Sequence, residues 1–372
     1  MTKHLIRSFR KALTGWYSVN QRDLPWRKTR DPYSIWVSEV MLQQTQVTTV
    51  IPYYHRFLKR FPAVQDLALA DLQDVLKVWE GMGYYGRARN LHAASQTVVQ
   101  EHEGVVPARW EDFRSLSGVG DYIAAAVLSI AHGQAFPVVD GNVKRVLSRL
   151  LLIEDPVNQS ASTKRFREAA EAFMDRRNPG IFNQAMMELG AIVCRPKQPL
   201  CMLCPVSTLC RAYQSDRVIE FPKRVKKRPT PLYPIATGVV FRDGRVLITR
   251  RKSKGLLGGL WEFPGGKIQK GEIAEAACLR ELREEVNLKV EIESHLCRVR
   301  HAYTHFRIVM DVFCCSHISG RVRLNGPVDH RWIAVDEVDA YPLPKANHKF
   351  MTQLKGYATR RTRIARRVTQ NG

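Results

Sequence analysis

The sequence predicts a multidomain protein whose first half is all-α and whose smaller second half is α+β. Three observations carry that prediction. Apolar residues recur at three-to-four spacing through residues 1–216, a basic Pro-rich stretch follows, and short β-branched runs begin beyond it. The length of 372 residues fits two domains better than one. A composition of 45% hydrophobic and 25% charged residues is that of globular protein, which excludes a largely disordered or fibrous chain.

The N-terminal MTKHLIRSFRKAL alternates basic and apolar residues and predicts an amphipathic helix, not a signal peptide. Ser38 to Val50, Leu67 to Trp79, Ala88 to Glu101 and Tyr122 to Ala131 read as helical segments. Pro52, Pro62 and Pro107 fall between them, where helices should stop. The longest apolar stretch, Ile123 to Ala131, is too short to span a bilayer, so no membrane association is expected. Phe221-Pro-Lys-Arg-Val-Lys-Lys-Arg-Pro-Thr-Pro-Leu-Tyr-Pro234 cannot build a core and reads as an extended linker. Ile235 to Phe241 and Val246 to Arg250 flank Asp243-Gly244, a hairpin signal. Residues 273–286 return to helical patterning, and Arg307 to Cys315 and Arg331 to Val335 read as strands. The expected boundaries are a helical domain at 1–216, a linker at 217–235, a mixed domain at 236–355 and a basic tail at 356–372.

Charge is unevenly placed. The net charge is +23, of which residues 217–235 carry +5 and residues 355–372 carry +6. A polyanionic partner is implied, though composition alone does not separate DNA, RNA and an acidic membrane surface. Eight cysteines without a signal peptide do not suggest a disulfide scaffold. Four of them lie between 194 and 210, which points to a metal site in a reducing compartment, the cytoplasm, at the nucleoid if the source is bacterial.

Three motifs follow. Leu116-Ser-Gly-Val-Gly-Asp-Tyr-Ile-Ala124 sets the turn Gly118–Gly120 directly before a helix, where free N–H groups can meet a DNA phosphate; the same turn also serves merely to join helices. Val138-Val-Asp140-Gly-Asn142-Val-Lys144-Arg145 places an acid ahead of a basic helix, and such an Asp is commonly a cap. Cys194-x6-Cys201-x2-Cys204-x5-Cys210 has compact, unequal spacing that suits an iron–sulfur cubane, with zinc as the alternative.

Together these motifs resemble the helix-hairpin-helix DNA glycosylase superfamily with its [4Fe–4S] loop, and within it the MutY adenine DNA glycosylases. The resemblance extends over Trp36-Val-Ser-Glu39-Val-Met-Leu-Gln43-Gln44-Thr-Gln46-Val, Gly81-Met-Gly-Tyr84-Tyr85-Gly-Arg87-Ala-Arg89-Asn90-Leu, Val139 to Arg145 and Phe182-Asn-Gln184-Ala-Met-Met-Glu188-Leu-Gly190. It implies double-stranded DNA containing A:8-oxoguanine or A:G as partner, a [4Fe–4S] cluster on the four cysteines, and action as a monomer.

The chemistry is that of glycoside hydrolysis, in which an acid assists the leaving group and a carboxylate steadies a cationic sugar. Glu39 lies among Val37, Val40 and Met41, which should raise its pKa and keep it a proton donor. The resemblance makes it the acid that protonates the adenine, with Asp140 ionised beside Asn142 to stabilise the oxocarbenium ion. It also implies that Gln43 and Gln44 enter the duplex gap, that Tyr84 wedges beside the opposite base, and that Gln184 reads the adenine edge. Bifunctional relatives carry a Lys where this chain has Tyr122, so a monofunctional glycosylase is expected, with Lys144 a nearby amine able to trap the sugar. Phosphate contacts are expected at Gly118–Gly120 and at Lys144 and Arg145. The linker and the Arg-rich tail should grip the backbone without regard to sequence.

In the second half, Gly266-x5-Glu272-x7-Arg280-Glu281-Leu282-Arg283-Glu284-Glu285-Val286-Asn287-Leu288 resembles the Nudix box at every position except the second glycine, here Asn287. Asn also accepts a left-handed turn, so the helix should still end correctly. Glu281, Glu284 and Glu285 share one helical face and would suit Mg²⁺ and a pyrophosphate. Leu260-Trp-Glu-Phe-Pro-Gly-Gly-Lys267 and Asn347 resemble MutT-type hydrolases of 8-oxoguanine nucleotides. In MutY proteins this domain usually lacks the box and reads the lesion, and His301-Ala-Tyr303-Thr304-His305-Phe306 matches its recognition loop, with Thr304 and His305 as readers. The expected function is therefore adenine excision. Alternatives are a fusion that also hydrolyses 8-oxo-dGTP, and a non-catalytic mismatch binder with a structural cluster.

Overall fold

The computed structural model describes residues 3–226 and 229–370, with the side chains of the final helix described to residue 363. The expected linker therefore lies outside the described residues at 227–228. Of the expected basic tail, residues 371–372 lie outside them, as do the side chains from 364 onward, Arg366 and Arg367 among them. The chain forms two compact units, Met1–Leu69 with Asn90–Lys227, and Ala70–Arg89 with Arg228–Gly372.

The first unit is helical. The amphipathic N-terminus forms α1 (Lys3–Asn20) and buries Phe9, Leu13 and Tyr17. Helix α2 (Pro32–Leu42) begins where Asp31 accepts the Ser34 N–H and Pro32 presets the first turn. One helix was expected from Ser38 to Val50, but the chain breaks after Leu42 and restarts as α3 (Val47–Arg60). Gln44 takes a φ of +56°, which no right-handed helix continues through. Pro52, expected to stop a helix, instead lies inside α3. It sits in the second turn, so one ladder hydrogen bond is forgone and the helix resumes.

The expected segment Leu67 to Trp79 is likewise two helices, α4 (Val64–Leu69) and α5 (Leu72–Trp79), because Asp71 accepts the Gln73 N–H and caps the second. Then follow α6 (Gly86–Glu101), α7 (Trp110–Ser115), α8 (Asp121–His132), α9 (Gly141–Leu151), α10 (Thr163–Phe173), α11 (Pro179–Glu188) and the short α12 (Arg211–Gln214). The core gathers Phe9 and Leu13 of α1, Leu147 and Leu150 of α9, Phe166 and Phe173 of α10 and Phe182 of α11. Helices α2 and α8 are buried on nearly all sides, so a polar residue on either must find its partner inside the protein.

The second unit is a mixed sheet with helices on both faces. Strands β1 (Leu232–Arg242), β2 (Arg245–Arg250), β3 (Trp261–Glu262), β4 (Gly265–Lys267), β5 (Lys289–Ala302), β6 (Arg307–Ser319) and β7 (Asp329–Ile333) form it in the order β3-β2-β1-β6-β5, with β4 on β1 and β7 on β2. The expected hairpin is present. Asp243 and Gly244 have φ of +50° and +74°, and Phe241 pairs with Val246. Strand β1 begins inside the stretch read as linker and pairs in parallel with β6, from Leu232 opposite Arg307 to Phe241 opposite Ser316.

Alternation sends Val240 and Leu247 toward Ala277, Cys278 and Leu282 of helix α13 (Ala274–Val286). Val239, Phe241 and Ile248 face the other side, against Phe350 and, from α15 (Met351–Gln370), Leu354; the short α14 (Lys345–His348) precedes it. The stretch read as a basic tail is thus part of a helix. Strand β5 escaped the sequence reading because it is an edge strand whose charged residues point outward.

Residues 70–89 group with this second unit, although by position they belong to the helical half. Among the described residues, no helix is long and apolar enough to cross a membrane.

Candidate active site and base-reading residues

The first unit holds a pocket of about 180 Å³ lined by Glu39, Tyr122, Asp140, Asn142, Gln184 and Glu188, among others. Glu39 projects from the middle of α2 and is 3% exposed. Tyr122, in the first turn of α8, donates its hydroxyl to Glu39 Oε2 at 2.5 Å. Burial pushes the Glu39 carboxyl up to about 7; the Tyr122 hydrogen bond opposes that rise and the charge of Asp140 adds to it.

Asp140 is both the N-cap expected of an Asp-Gly start and a pocket residue. Its Oδ1 accepts the Val143 N–H at 2.7 Å and its Oδ2 accepts Asn142 Nδ2 at 2.8 Å. Burial pushes its pKa above the ordinary aspartate value, against these bonds and the nearby Arg145. Two amide donors on a helix N-terminus favour the ionised form, whereas Glu39 meets a single hydroxyl that can donate to it or accept from it. Burial thus raises the pKa of both carboxyls, and the amide donors oppose that rise at Asp140.

Sequence reasoning missed a charge cluster on the same pocket. Glu188 is 1% exposed and accepts Arg22 Nε at 2.8 Å, Arg22 Nη2 at 2.7 Å and Arg27 Nη2 at 2.8 Å. Burial works against its ionised form, but the Arg22 and Arg27 hydrogen bonds outweigh it and hold the carboxyl down at about 2. Glu188 stood in a quoted motif, yet nothing local marks its partners 166 and 161 residues away. Gln184 lines the pocket, with Tyr17 donating to its Oε1 at 3.3 Å and its Nε2 donating to the Gly180 carbonyl.

Other expected residues lie outside this pocket. Lys144 directs its ammonium to the Val157 carbonyl at 3.4 Å and lies 5.7 Å from the Phe166 ring. Arg145, expected at a phosphate, is instead 5% exposed and donates to Asn142 Oδ1, the Gly190 carbonyl and the Cys194 carbonyl. A guanidinium so enclosed cannot reach DNA. Gly118 has a φ of +76°, and a Cβ there would lie 2.6 Å from Asn90 Cβ, so the turn before α8 requires glycine. Gly120 is the N-cap of α8. Gln43 follows the end of α2 and Gln44 is exposed in its left-handed conformation, unusual for a side chain of that size.

Cys194, Cys201, Cys204 and Cys210 are half-buried free thiols in a loop braced from α9. Arg145 Nε donates to the Cys194 carbonyl at 2.7 Å and Arg149 Nη1 approaches Cys194 Sγ at 3.3 Å. Burial pushes the Cys204 thiol up to about 12, and the other three cysteines add to the rise.

In the second unit Tyr84 has a φ of +51° and donates its hydroxyl to Thr304 Oγ1 at 2.5 Å, with its ring 6.4 Å from that of His305. These three residues line a cleft of about 390 Å³. A larger cavity of about 600 Å³ holds the stacked Tyr303 and Phe306 rings, 4.6 Å apart, with Glu285, the Glu262–Arg251 pair and Asn347 on its walls. Asn287 ends α13 at a φ of +58°, as expected. The three glutamates expected on one face are divided in their bonds. Glu281 and Glu284 accept from Arg280, which also binds Glu272, while Glu285 accepts the Gly265 N–H at 2.9 Å. Burial, with the charge of Glu262, pushes Glu285 up to about 7. Among the described residues no three His, Cys, Asp or Glu side chains are arranged to hold a single metal ion.

A buried glutamate beside a capped aspartate sits in a helical unit with a glycine turn, and the class this belongs to is a base-excision DNA repair superfamily. Residues 37–175 match the HhH-GPD superfamily of base excision DNA repair proteins, and residues 236–353 match the NUDIX domain. A thermostable thymine-DNA glycosylase structure superposes on 57% of this chain and 98% of its own, with a TM-score of 0.53 and 29% identity. Adenine DNA glycosylase of Rattus norvegicus is 38% identical, with 83% of this chain and 70% of the relative covered. That of Homo sapiens is 35% identical, with 94% and 74% covered. The chain belongs to the adenine DNA glycosylase family.

Proposed function

We propose that the chain hydrolyses the N-glycosidic bond of adenine mispaired with 8-oxoguanine or guanine in duplex DNA. The observation that carries this reading is the Tyr122–Glu39 hydrogen bond, which lines one pocket with Asp140. The target adenine leaves the stack and enters the pocket, since neither carboxyl can reach it within a duplex. Glu39 gives its proton to the base, Asp140 steadies the oxocarbenium ion with Asn142 holding its carboxylate in place, and water attacks the sugar. Tyr122 offers no amine for a Schiff base, so efficient strand cleavage is not part of the reaction. Gln184 reads the adenine edge, Gln43 and Gln44 enter the gap in the duplex, and the Gly118–Gly120 turn and Lys144 meet the backbone.

The four cysteines supply the donor chemistry of a [4Fe–4S] cluster, although among the described residues their side chains are not gathered around one ion. They provide four thiols from one short loop, and the buried Arg145 and Arg149 place positive charge against an anionic group. Cys194, Cys201, Cys204 and Cys210 would hold it, and it would supply a crosslink within the loop that follows α11.

Tyr84, Thr304 and His305 read the base opposite adenine. Single-turnover adenine release from A:8-oxoguanine and A:G duplexes tests this. Thr304→Ala is expected to slow the first about three- to tenfold, the worth of one hydrogen bond, and to spare the second. An equal change on both substrates would remove Thr304 from lesion reading.

The large cavity favours a second reading for the NUDIX domain, the hydrolysis of 8-oxo-dGTP, with Glu285 on the cavity wall; Glu281 and Glu284 are held by Arg280, and among the described residues the three glutamates do not form a site for one ion. Stacked aromatic rings and the buried Asn347 amide suit a nucleobase. Mg²⁺-dependent pyrophosphate release from 8-oxo-dGTP should vanish in a Glu284→Gln, Glu285→Gln double variant. No release from the wild type would end this reading.

A further inference from the structure

The resemblance singled out Tyr84 in the helical half, and the structure groups it with the second unit, where its placement has its own causes. A tyrosine at a φ of +51° is strained, and the conformation persists only where its surroundings enforce it. The enforcing contacts come from residues 70–89. Trp79 Nε1 donates to the Gly83 carbonyl at 3.1 Å and Arg87 Nη2 donates to the same oxygen at 3.2 Å. The Arg87 guanidinium lies 5.2 Å from the Tyr84 ring centroid. The Tyr85 hydroxyl accepts the Gly81 N–H at 3.1 Å.

This turn is tied to the C-terminal fold by a polar seam. Gln73 uses both ends of its amide, donating to the Gly259 carbonyl at 3.1 Å and accepting Trp261 Nε1 at 2.9 Å. Glu80 forms the densest knot. Its Oε1 accepts the Leu343 N–H at 2.7 Å and meets His348 Nε2 at 2.9 Å, and its Oε2 accepts Lys77 Nζ at 2.6 Å. Lys77 also donates to the Tyr341 carbonyl at 3.2 Å. A carboxylate surrounded by donors is satisfied only when ionised, and its bonds join Lys77 of α5 to the segment 343–348.

We propose that Glu80 is a positioning residue for discrimination of the base opposite adenine. By locking the segment from Leu72 to Tyr85 onto the C-terminal fold, it holds the Tyr84 hydroxyl against Thr304 and the Tyr84 ring against His305. The proposal rests on the reading of Tyr84 and Thr304 given above. Glu80 itself need not touch DNA. Its influence on selectivity runs through the geometry of the Tyr84–Thr304 pair, so a change at Glu80 and a change at Thr304 should remove one shared interaction. Glutamine at position 80 keeps the shape but turns an NH2 group toward a donor.

The test measures single-turnover adenine release from A:8-oxoguanine and A:G duplexes for the full chain and for Glu80→Gln, Thr304→Ala and the double variant. Glu80→Gln is expected to lower the preference for 8-oxoguanine about three- to tenfold while leaving the A:G rate in place. The double variant should lose no more preference than Thr304→Ala alone. Lys77→Met, which removes one donor and spares the bonds to Leu343 and His348, should shift the ratio the same way by less, and serves if Glu80→Gln folds poorly. Preference lost in Thr304→Ala but kept in Glu80→Gln and Lys77→Met would overturn the proposal, as would losses that multiply in the double variant. Preference kept in Thr304→Ala would instead overturn the lesion reading, and this proposal with it.

Discussion

Glu39→Gln is expected to slow single-turnover adenine release by about 10²–10⁴-fold, the range for removal of a general acid, with duplex binding retained. Glutamine fills the same space, and its amide oxygen can still accept the Tyr122 hydroxyl that now donates to Glu39 Oε2 at 2.5 Å. What it lacks is a proton to give. A variant that released adenine at the wild-type rate would sink the assignment.

The same carboxyl sets a pH dependence. On the proposed mechanism Glu39 acts in its protonated form, and burial holds its pKa at about 7, so the wild-type rate is expected to fall as pH rises through about 7. Asp140 must be ionised, so the rate should also fall on the acid side, and the two limbs belong to a coupled pair. Stability follows the same proton. The folded chain holds it to about 7 whereas the unfolded chain releases it near the ordinary value of 4.5. The cost of ionising Glu39 is thus absent below the lower value, grows between the two and is complete above the upper. Glu39→Gln should therefore raise the Tm at pH 8 more than at pH 5, and equal shifts in thermal unfolding would contradict the buried-acid account.

Asp140→Asn is expected to cost about 10²–10³-fold in the same assay, the scale for losing one electrostatic contributor to a charged transition state. Asparagine caps helices nearly as well as aspartate and keeps an oxygen for the Val143 N–H. Its new NH2 group, however, faces the Asn142 Nδ2 that Asp140 Oδ2 now accepts at 2.8 Å. The variant should remain folded, its Tm lower by only a few degrees, at about 2–4 °C per kcal/mol for a unit of this size. Full activity with a lowered Tm would reduce Asp140 to a cap.

Features that depend on a few neighbouring residues were legible in the sequence. The Asp243–Gly244 hairpin, the Asn287 helix end and the Asp140 cap each rest on backbone geometry that two to four adjacent residues dictate. Glu39 was legible as a buried acid because Val37, Val40 and Met41 surround it along the chain. The break between α2 and α3 was not, since Gln43 to Gln46 contain no Gly or Pro to mark a turn and it is the left-handed Gln44 that interrupts the helix. Arg145 read as a phosphate contact because a basic side chain in a basic motif gives no sign of enclosure.

The sequence by itself determined which chemical groups the protein has and where its backbone must turn: two carboxyls, four thiols, a glycine turn and a charged Nudix-like helix. Only the tertiary structure decided which of those groups meet. It put Tyr122 on Glu39, closed Arg22 and Arg27 on Glu188, turned Arg145 inward and tied Glu80 to Leu343 and His348. Protonation and pairing depend on water exclusion and on distances between residues far apart in the chain, quantities that exist only once the chain has folded.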